Sequence, residues 1–282
     1  MQFITLEKKY KPNIYIMIIF TVIMRFPNFQ NKYPEPSFFS PEDYWNYKVE
    51  IGLTPEYGSP EGVIFWYLSS TLRKYILDKY ETTKIGGFLG EMYLLHDTGN
   101  KVAAIGNFGL GASAAVYILE DLIAYGVKKF VSIGIAGTLQ KEVNIGDIVV
   151  CEKAVRDEGT SYHYVKPSKY AYASEKMTEK LKRSLETRHQ KYIVGTSWTT
   201  DAPYRETIAE LKHYQKEGVV TVDMEASALF AVARYRNVEM GAMFTISDSM
   251  AELTWNPRFY SEEPQKKLKI LLEAAVDAFL KR

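Results

Sequence analysis

From about residue 62 to the C-terminus, short apolar runs alternate with segments of helical spacing. Lys101–Asn107 is an apolar run that leads into a glycine-rich turn. Ser113–Tyr125 follows, with Val116, Leu119 and Ile123 on one helical face. Gly126 stands where a glycine ends a helix. Further strands are expected at Phe130–Ile135, Ile145–Val155, Tyr192–Ser197, Val219–Asp223 and Met240–Ile246. Helices are expected at Ser174–Thr187, Pro203–Glu217 and Glu225–Arg234. The chain closes on Glu262–Lys281, where Leu268, Leu271, Leu272, Ala275 and Phe279 form an apolar stripe. Strands that read as near-continuous apolar runs are buried on both faces. The alternation therefore predicts a single three-layer α/β domain with a largely parallel central sheet flanked by helices. In such sheets ligands bind beyond the carboxyl ends of the strands, so functional residues are expected there.

Composition narrows the function. Apolar residues make up 46% and charged residues 24%, a globular balance rather than a disordered one. Thirty-five Lys and Arg against 34 Asp and Glu leave a net charge of +1. That balance supplies no basic field for a nucleic-acid partner. Cys151 is the single cysteine, and His96, His163, His189 and His213 are scattered. No disulfide and no metal site are expected, and a reduced, cytoplasmic setting is the simplest reading.

Two segments precede the domain at residues 62–282. Residues 26–61, rich in Pro, Asn, Tyr and Phe, read as an irregular arm that docks elsewhere, on a neighbouring subunit for instance. Residues 1–25 carry the apolar run Ile14–Met24 behind Lys8, Lys9 and Lys11. This resembles the start of a signal peptide, but Arg25, Phe26 and Pro27 stand where a small-residue cleavage site should be. The run is also well short of the about 20 residues that span a bilayer. It is expected to be an extension upstream of a start at Met17 or Met24, and no membrane partner is expected.

Gly109-Leu-Gly111-Ala-Ser-Ala114 fits the dinucleotide fingerprint, between a strand and a helix. The acidic residue that should follow at the end of the next strand is missing from Phe130–Thr138, while Glu120 and Asp121 come too early. A nicotinamide or flavin enzyme is therefore not expected. The glycines still let a ligand approach the backbone, and the helix N-terminus still favours an anion or a polar edge.

Three motifs fall at strand ends: Gly134-Ile-Ala-Gly137-Thr138, read as a turn, Met224-Glu225, and Ser247-Asp248-Ser249. Two carboxylates placed this way suit ribosyl transfer, one holding sugar hydroxyls and the other protonating a leaving group. Glu225 could equally complement a helix dipole, and Asp248 could be an N-cap; spacing alone leaves both open.

Gly106–Asp147 (GNFGLGASAAVYILEDLIAYGVKKFVSIGIAGTLQKEVNIGD) resembles the core of the nucleoside phosphorylase family. Ala154–Tyr164 (AVRDEGTSYHY), Ser197–Tyr204 (SWTTDAPY), Val222–Ser227 (VDMEAS) and Phe244–Ser249 (FTISDS) continue the likeness in the family's order. The family includes bacterial purine nucleoside phosphorylase and uridine phosphorylase, with nucleosidases as relatives. The resemblance implies an α/β fold with a mixed central sheet. It implies cleavage of a nucleoside's N-glycosidic bond, usually with phosphate as co-substrate and without an organic cofactor. It also implies a homo-oligomer, dimer-based and up to a hexamer.

Within that resemblance, Met224 lies under the ribose and Glu225 binds its hydroxyls. Hydrogen bonds to the 2-hydroxyl strengthen as the sugar becomes oxocarbenium-like. Ser247-Asp248 matches the motif whose aspartate protonates a purine, since a nucleobase anion is a poor leaving group. Uridine phosphorylases lack that aspartate, so Asp248 favours purines. Asp201 and Tyr204 fall in the segment that shapes the base pocket, where Pro203 replaces the family's phenylalanine and Trp198 or Tyr204 is left to stack. Gly109, Gly134 and Gly137 line the phosphate side.

The phosphate motif departs from the family. Of its first loop only Arg73 survives, in Ser69-Ser70-Thr71-Leu72-Arg73. Ser132 stands at the second arginine's position and Ile135 at that of a phosphate-binding hydroxyl. Arg73 with Ser69 and its neighbours would cradle phosphate, with Arg156 and Lys84 as candidates for extra charge. Phosphorolysis is the first reading, hydrolysis the second, and a non-catalytic nucleoside-binding or storage protein the third. Between Phe65 and Leu77 there is no Asp or Glu to activate water. His163 reads as a packed or surface residue, and Arg258 as a surface residue.

Overall fold

The computed structural model describes residues 26–280. The apolar run at residues 14–24 lies outside them. Within the segment read as irregular, Pro41–Glu50 forms helix α1. Its start is a capping box: Asp43 N–H donates to the Ser40 hydroxyl, and the Ser40 N–H donates to the Asp43 carboxylate, with Pro41 in the first turn. Proline-rich composition masks that local signal.

The domain follows as β1 (Gly62–Phe65), α2 (Ser70–Lys79), β2 (Thr82–Ile85), β3 (Glu91–Leu95), β4 (Val102–Gly106), α3 (Ala112–Tyr125) and β5 (Lys129–Thr138). Then come β6 (Ile148–Asp157), β7 (Tyr170–Tyr172), α4 (Glu175–Thr187), β8 (Ile193–Thr200), α5 (Ile208–Lys216) and β9 (Thr221–Asp223). The last elements are α6 (Ala226–Tyr235), β10 (Glu239–Ser249), β11 (Asn256–Pro257) and α7 (Glu262–Leu280). The sheet is mixed. Its longest ladders, β5 with β10 and β6 with β8, are parallel. The pairs β2–β3, β3–β4 and β6–β10 are antiparallel. Because β10 pairs with both β5 and β6, the strands β5, β10, β6, β8 and β9 close on one another.

Alternation along the strands builds two cores. Ala103 and Ile105 of β4 join Val116 and Leu119 of α3 and Leu229 of α6 on one face. Val102 and Ala104 join Leu72 of α2, Leu181 of α4 and Leu271 of α7 on the other. That is the three-layer arrangement the apolar strands predict. Among the described residues, no helix is long and apolar enough to cross a membrane.

Three boundaries differ from the expectation, and each bears on the site. Gly134–Thr138 is not a turn, because β5 runs through it to Thr138. Its glycines serve close side-chain approach instead: a Cβ on Gly134 would come 3.4 Å from the Tyr67 ring, and one on Gly137 would meet Met250 at 2.5 Å. β10 likewise continues through Ser247-Asp248-Ser249, with its register against β5 shifting between Ile246 and Asp248. Asp248 is therefore a residue of an irregular strand and not an N-cap. The Pro203–Glu217 helix breaks into a short turn at Pro203–Arg205 and then α5, because Thr207 and Glu210 form a fresh capping box.

Candidate active site

The turn from β9 into α6 is organised by Asp223. Its Oδ2 accepts the N–H groups of Glu225 (2.8 Å) and Ala226 (2.6 Å). Its Oδ1 accepts the hydroxyls of Ser197 (2.7 Å) and Thr199 (2.8 Å). Burial pushes this carboxyl upward while these four donors pull it back. Asp223 thus fixes the backbone from which Met224 and Glu225 project.

Glu225 is buried at the N-terminus of α3, where its Oε1 accepts the Gly111 N–H at 2.7 Å. Gly111 has φ +96°, a left-handed conformation that a side chain would strain. The glycine run thus lends a backbone donor to a carboxylate. Burial, with Asp223 adding to it, pushes the Glu225 carboxyl up to about 8. The carboxyl keeps lone pairs beyond its backbone contacts for sugar hydroxyls. Beside it, Met224 and Gly111 line a cavity of about 590 Å³, together with Leu110, His163, Asp201 and Phe26.

Asp248 is also buried. Its Oδ1 accepts the Ser247 hydroxyl at 2.7 Å and its Oδ2 accepts the Trp255 indole N–H at 2.9 Å. Arg258 donates to its neighbour Pro257's carbonyl and is exposed, so Trp255 is the side chain from that loop that orients the aspartate. Glu206 adds a third carboxyl. Burial, with Asp248 adding to it, pushes Glu206 up to about 7.

The residues expected on the phosphate side do not converge on a free anion site. Arg73 donates through Nε to Glu91 at 2.7 Å, and Lys84 and Asn107 donate to the same carboxylate at 3.2 and 2.7 Å. Arg73, the largest influence, holds Glu91 down at about 2. Arg156 is buried and donates to Ser161, Ser168 and the carbonyls of Val165 and Lys166. Ser69 caps α2 through the Leu72 N–H. Ser132 hydrogen-bonds the Tyr67 hydroxyl at 2.8 Å. Burial and the Glu225 and Asp223 carboxylates push Tyr67 well above its ordinary value. Gly109 has φ +107° and sits in the loop beside Asn107. Ile135 is the exposed residue in an otherwise buried stretch of β5.

On the base side, Asp201 accepts the Gly159 N–H at 2.7 Å and pins the loop after β6. Glu158 holds the same loop to α6, accepting the Ser161 N–H and the Ser227 hydroxyl. Tyr204 is fully exposed and does not line that cavity. Trp198 is core: its indole donates to Asp157 and its ring lies 4.6 Å from Tyr214. His163 borders the cavity. The structure therefore brings Met224, Gly111 and Asp201 to one cavity, sets Glu225 behind Gly111, and leaves Asp248, Tyr204 and Arg73 outside its lining. Tyr67, Glu91 and Glu206 were not signalled by motif, and Asp223 lies within the Val222–Ser227 motif without a role read for it. Tyr67 had a positional cue, standing just beyond the end of β1.

The sequence model of the Phosphorylase superfamily matches residues 69–281. A guanosine phosphorylase of Halorubrum lacusprofundi is 27% identical over 168 residues, 60% of this chain and 70% of that protein. A DeoD-type purine nucleoside phosphorylase of Aliivibrio fischeri is 26% identical over 209 residues, 73% of this chain and 85% of its own. Among solved structures, an AMP nucleosidase from Bacteroides thetaiotaomicron shares the fold with a TM-score of 0.62 at 22% identity, over 77% of this chain and 87% of that one.

Proposed function

The chain belongs to the phosphorylase superfamily, and from that membership we propose that it cleaves the N-glycosidic bond of purine nucleosides by phosphorolysis, releasing the base and ribose 1-phosphate. The observation that carries the reading is the buried Glu225 carboxylate at the Gly111 N–H, with Met224 beside it on the cavity wall. The relatives named phosphorylases support phosphate as the acceptor.

The ribose would rest on Met224, with its 2′- and 3′-hydroxyls donating to Glu225. As the C1′–N9 bond lengthens, its electron pair moves onto the purine and the sugar becomes oxocarbenium-like. Hydrogen bonds between the hydroxyls and Glu225 strengthen as that charge grows. Asp248 delivers a proton to N7 so that a neutral base departs. A phosphate oxygen then forms the new bond to C1′. Ser247 and Trp255 hold the Asp248 carboxyl in place.

Hydrolysis is a second reading, favoured by one feature. Arg73 and Lys84 are already paired with Glu91, and Ser132 with Tyr67, which leaves a nucleophile site with little positive charge. Water would then take the place of phosphate and give free ribose.

The test is release of free base from inosine, guanosine, adenosine, methylthioadenosine and uridine, with and without phosphate. Phosphate-dependent release of purine with ribose 1-phosphate is expected. Phosphate-independent release with free ribose would establish the hydrolytic reading. Binding of nucleosides without any release would make the protein a nucleoside binder, and preferred release from uridine would overturn the purine assignment.

A further inference from the structure

The superfamily match begins at residue 69, yet one side chain lining the nucleoside cavity comes from well before it. Phe26 lies with Met224, Gly111, Asp201 and His163 around the space of about 590 Å³. Its ring is packed edge-to-face on His163 at 5.2 Å between centroids and on Tyr162 at 6.1 Å. A Cβ on Gly159 would come 3.6 Å from the ring, so a glycine leaves room for it. The arm behind Phe26 is tied to the same loop. Tyr33 donates its hydroxyl to the Tyr162 carbonyl at 2.9 Å, and Lys32 reaches His163 Nδ1 at 3.0 Å. The ring remains about half exposed (49%), so it has surface left for a ligand to cover.

We propose that Phe26 is a substrate-contacting residue that forms an aromatic wall of the nucleoside pocket. The inference rests on the nucleoside-cleaving reading above. The cavity shares Met224 and Gly111 with the ribose site, while Asp248 does not line it. Phe26, Leu110 and Tyr164 give the space an apolar side. An aromatic face or edge against substrate carbons buries apolar surface there. The arm thereby supplies an aromatic surface where Pro203 and the exposed Tyr204 supply none.

The test compares the full chain with Phe26→Ala and Phe26→Leu, using inosine and guanosine. Dissociation constants are taken by calorimetry without phosphate and steady-state constants with it. Phe26→Ala is expected to raise both KM and Kd for nucleosides about tenfold, with kcat within about twofold. Phe26→Leu, which keeps apolar bulk, should fall between. If both variants keep wild-type constants while nucleosides are still cleaved, Phe26 is no part of the pocket and only the function stands. A wild-type protein that neither binds nor cleaves nucleosides overturns the functional reading and Phe26's role with it.

Discussion

Arg73 and Glu91 form an ion pair in which the arginine Nε lies 2.7 Å from the carboxylate, and Lys84 joins them at 3.2 Å. The arginine that the sequence offers for phosphate is thus occupied by an anion of the protein itself. The pair is partly exposed, with the Arg73 side chain 42% accessible, so an incoming phosphate competes with Glu91 for it. Glu91→Gln removes the competing charge. Phosphate KM is expected to fall about tenfold in this variant and to rise by a similar factor in Arg73→Ala. Initial rates at varied phosphate measure both, and no response in either variant would take Arg73 out of the anion site.

Asp248 stands close enough to Glu206 to raise that carboxyl. Asp248→Asn keeps the shape of the side chain and its place beside Trp255 but cannot give up a proton. Turnover on purine nucleosides should drop by about 10²–10⁴ with KM little changed. Glu206 is pushed up to about 7 by burial and by Asp248, so it changes charge in the working pH range. In Glu206→Gln an inflection of kcat/KM near pH 7 is therefore expected to disappear. An inflection that stays in place would show that Glu206 is remote from the reacting centre.

These residues also mark how far the sequence can be read. Met224, Glu225 and Asp248 belong to short local motifs, so the sequence alone nominates them. The buried alternation in β4, with Val102 and Ala104 on one face and Ala103 and Ile105 on the other, belongs to a strand expected from its apolar run. Helix α1 was missed because its capping box sits in a proline-rich stretch. The extension of β5 through Gly134 and Gly137 was missed because glycines signal turns, whereas here they admit Tyr67 and Met250 from other elements. Glu91 and Tyr67 were missed for a related reason. Their partners Arg73 and Ser132 lie on elements that only the folded sheet brings beside them. Tyr204 shows the opposite case, a motif residue that the turn at Pro203–Arg205 leaves in solvent.

Glu225 should impose a pH dependence on stability. Its carboxyl is pushed from 4.5 up to about 8 in the folded protein, by burial first and Asp223 second. Between those values the folded state holds a proton that the unfolded chain has released. Stability from this group is complete below about 4.5 and is lost as the pH rises through about 8. Glu225→Gln keeps an acceptor for the Gly111 N–H and cannot ionise. It should flatten the decline in urea midpoint between pH 5 and 9, as estimated from linkage, and it should also weaken the preference for ribose over 2′-deoxyribose. An unaltered decline would mean that the carboxylate is better solvated than its burial implies.

Helix α1 is held to α3 by a buried ion pair, Lys48 Nζ to Asp121 Oδ2 at 2.7 Å, with both side chains under a tenth exposed. Lys48 also donates to the Gly87 carbonyl and lies over the Tyr44 ring at 4.7 Å. Attraction within such a pair is offset by desolvation of both charges, so the intact pair contributes little net stability. Removing one partner is different, because the other charge is left buried and alone. Lys48→Met should destabilise the protein by about 3–5 kcal/mol through the stranded Asp121. The double variant Lys48→Met with Asp121→Leu should recover most of that loss, since two apolar side chains of similar volume leave no charge to solvate. Urea melts of the two single variants and the double form a cycle that isolates the coupling. If the double variant is as unstable as Lys48→Met alone, the Gly87 and Tyr44 contacts, and not the charge pair, anchor the arm to the domain.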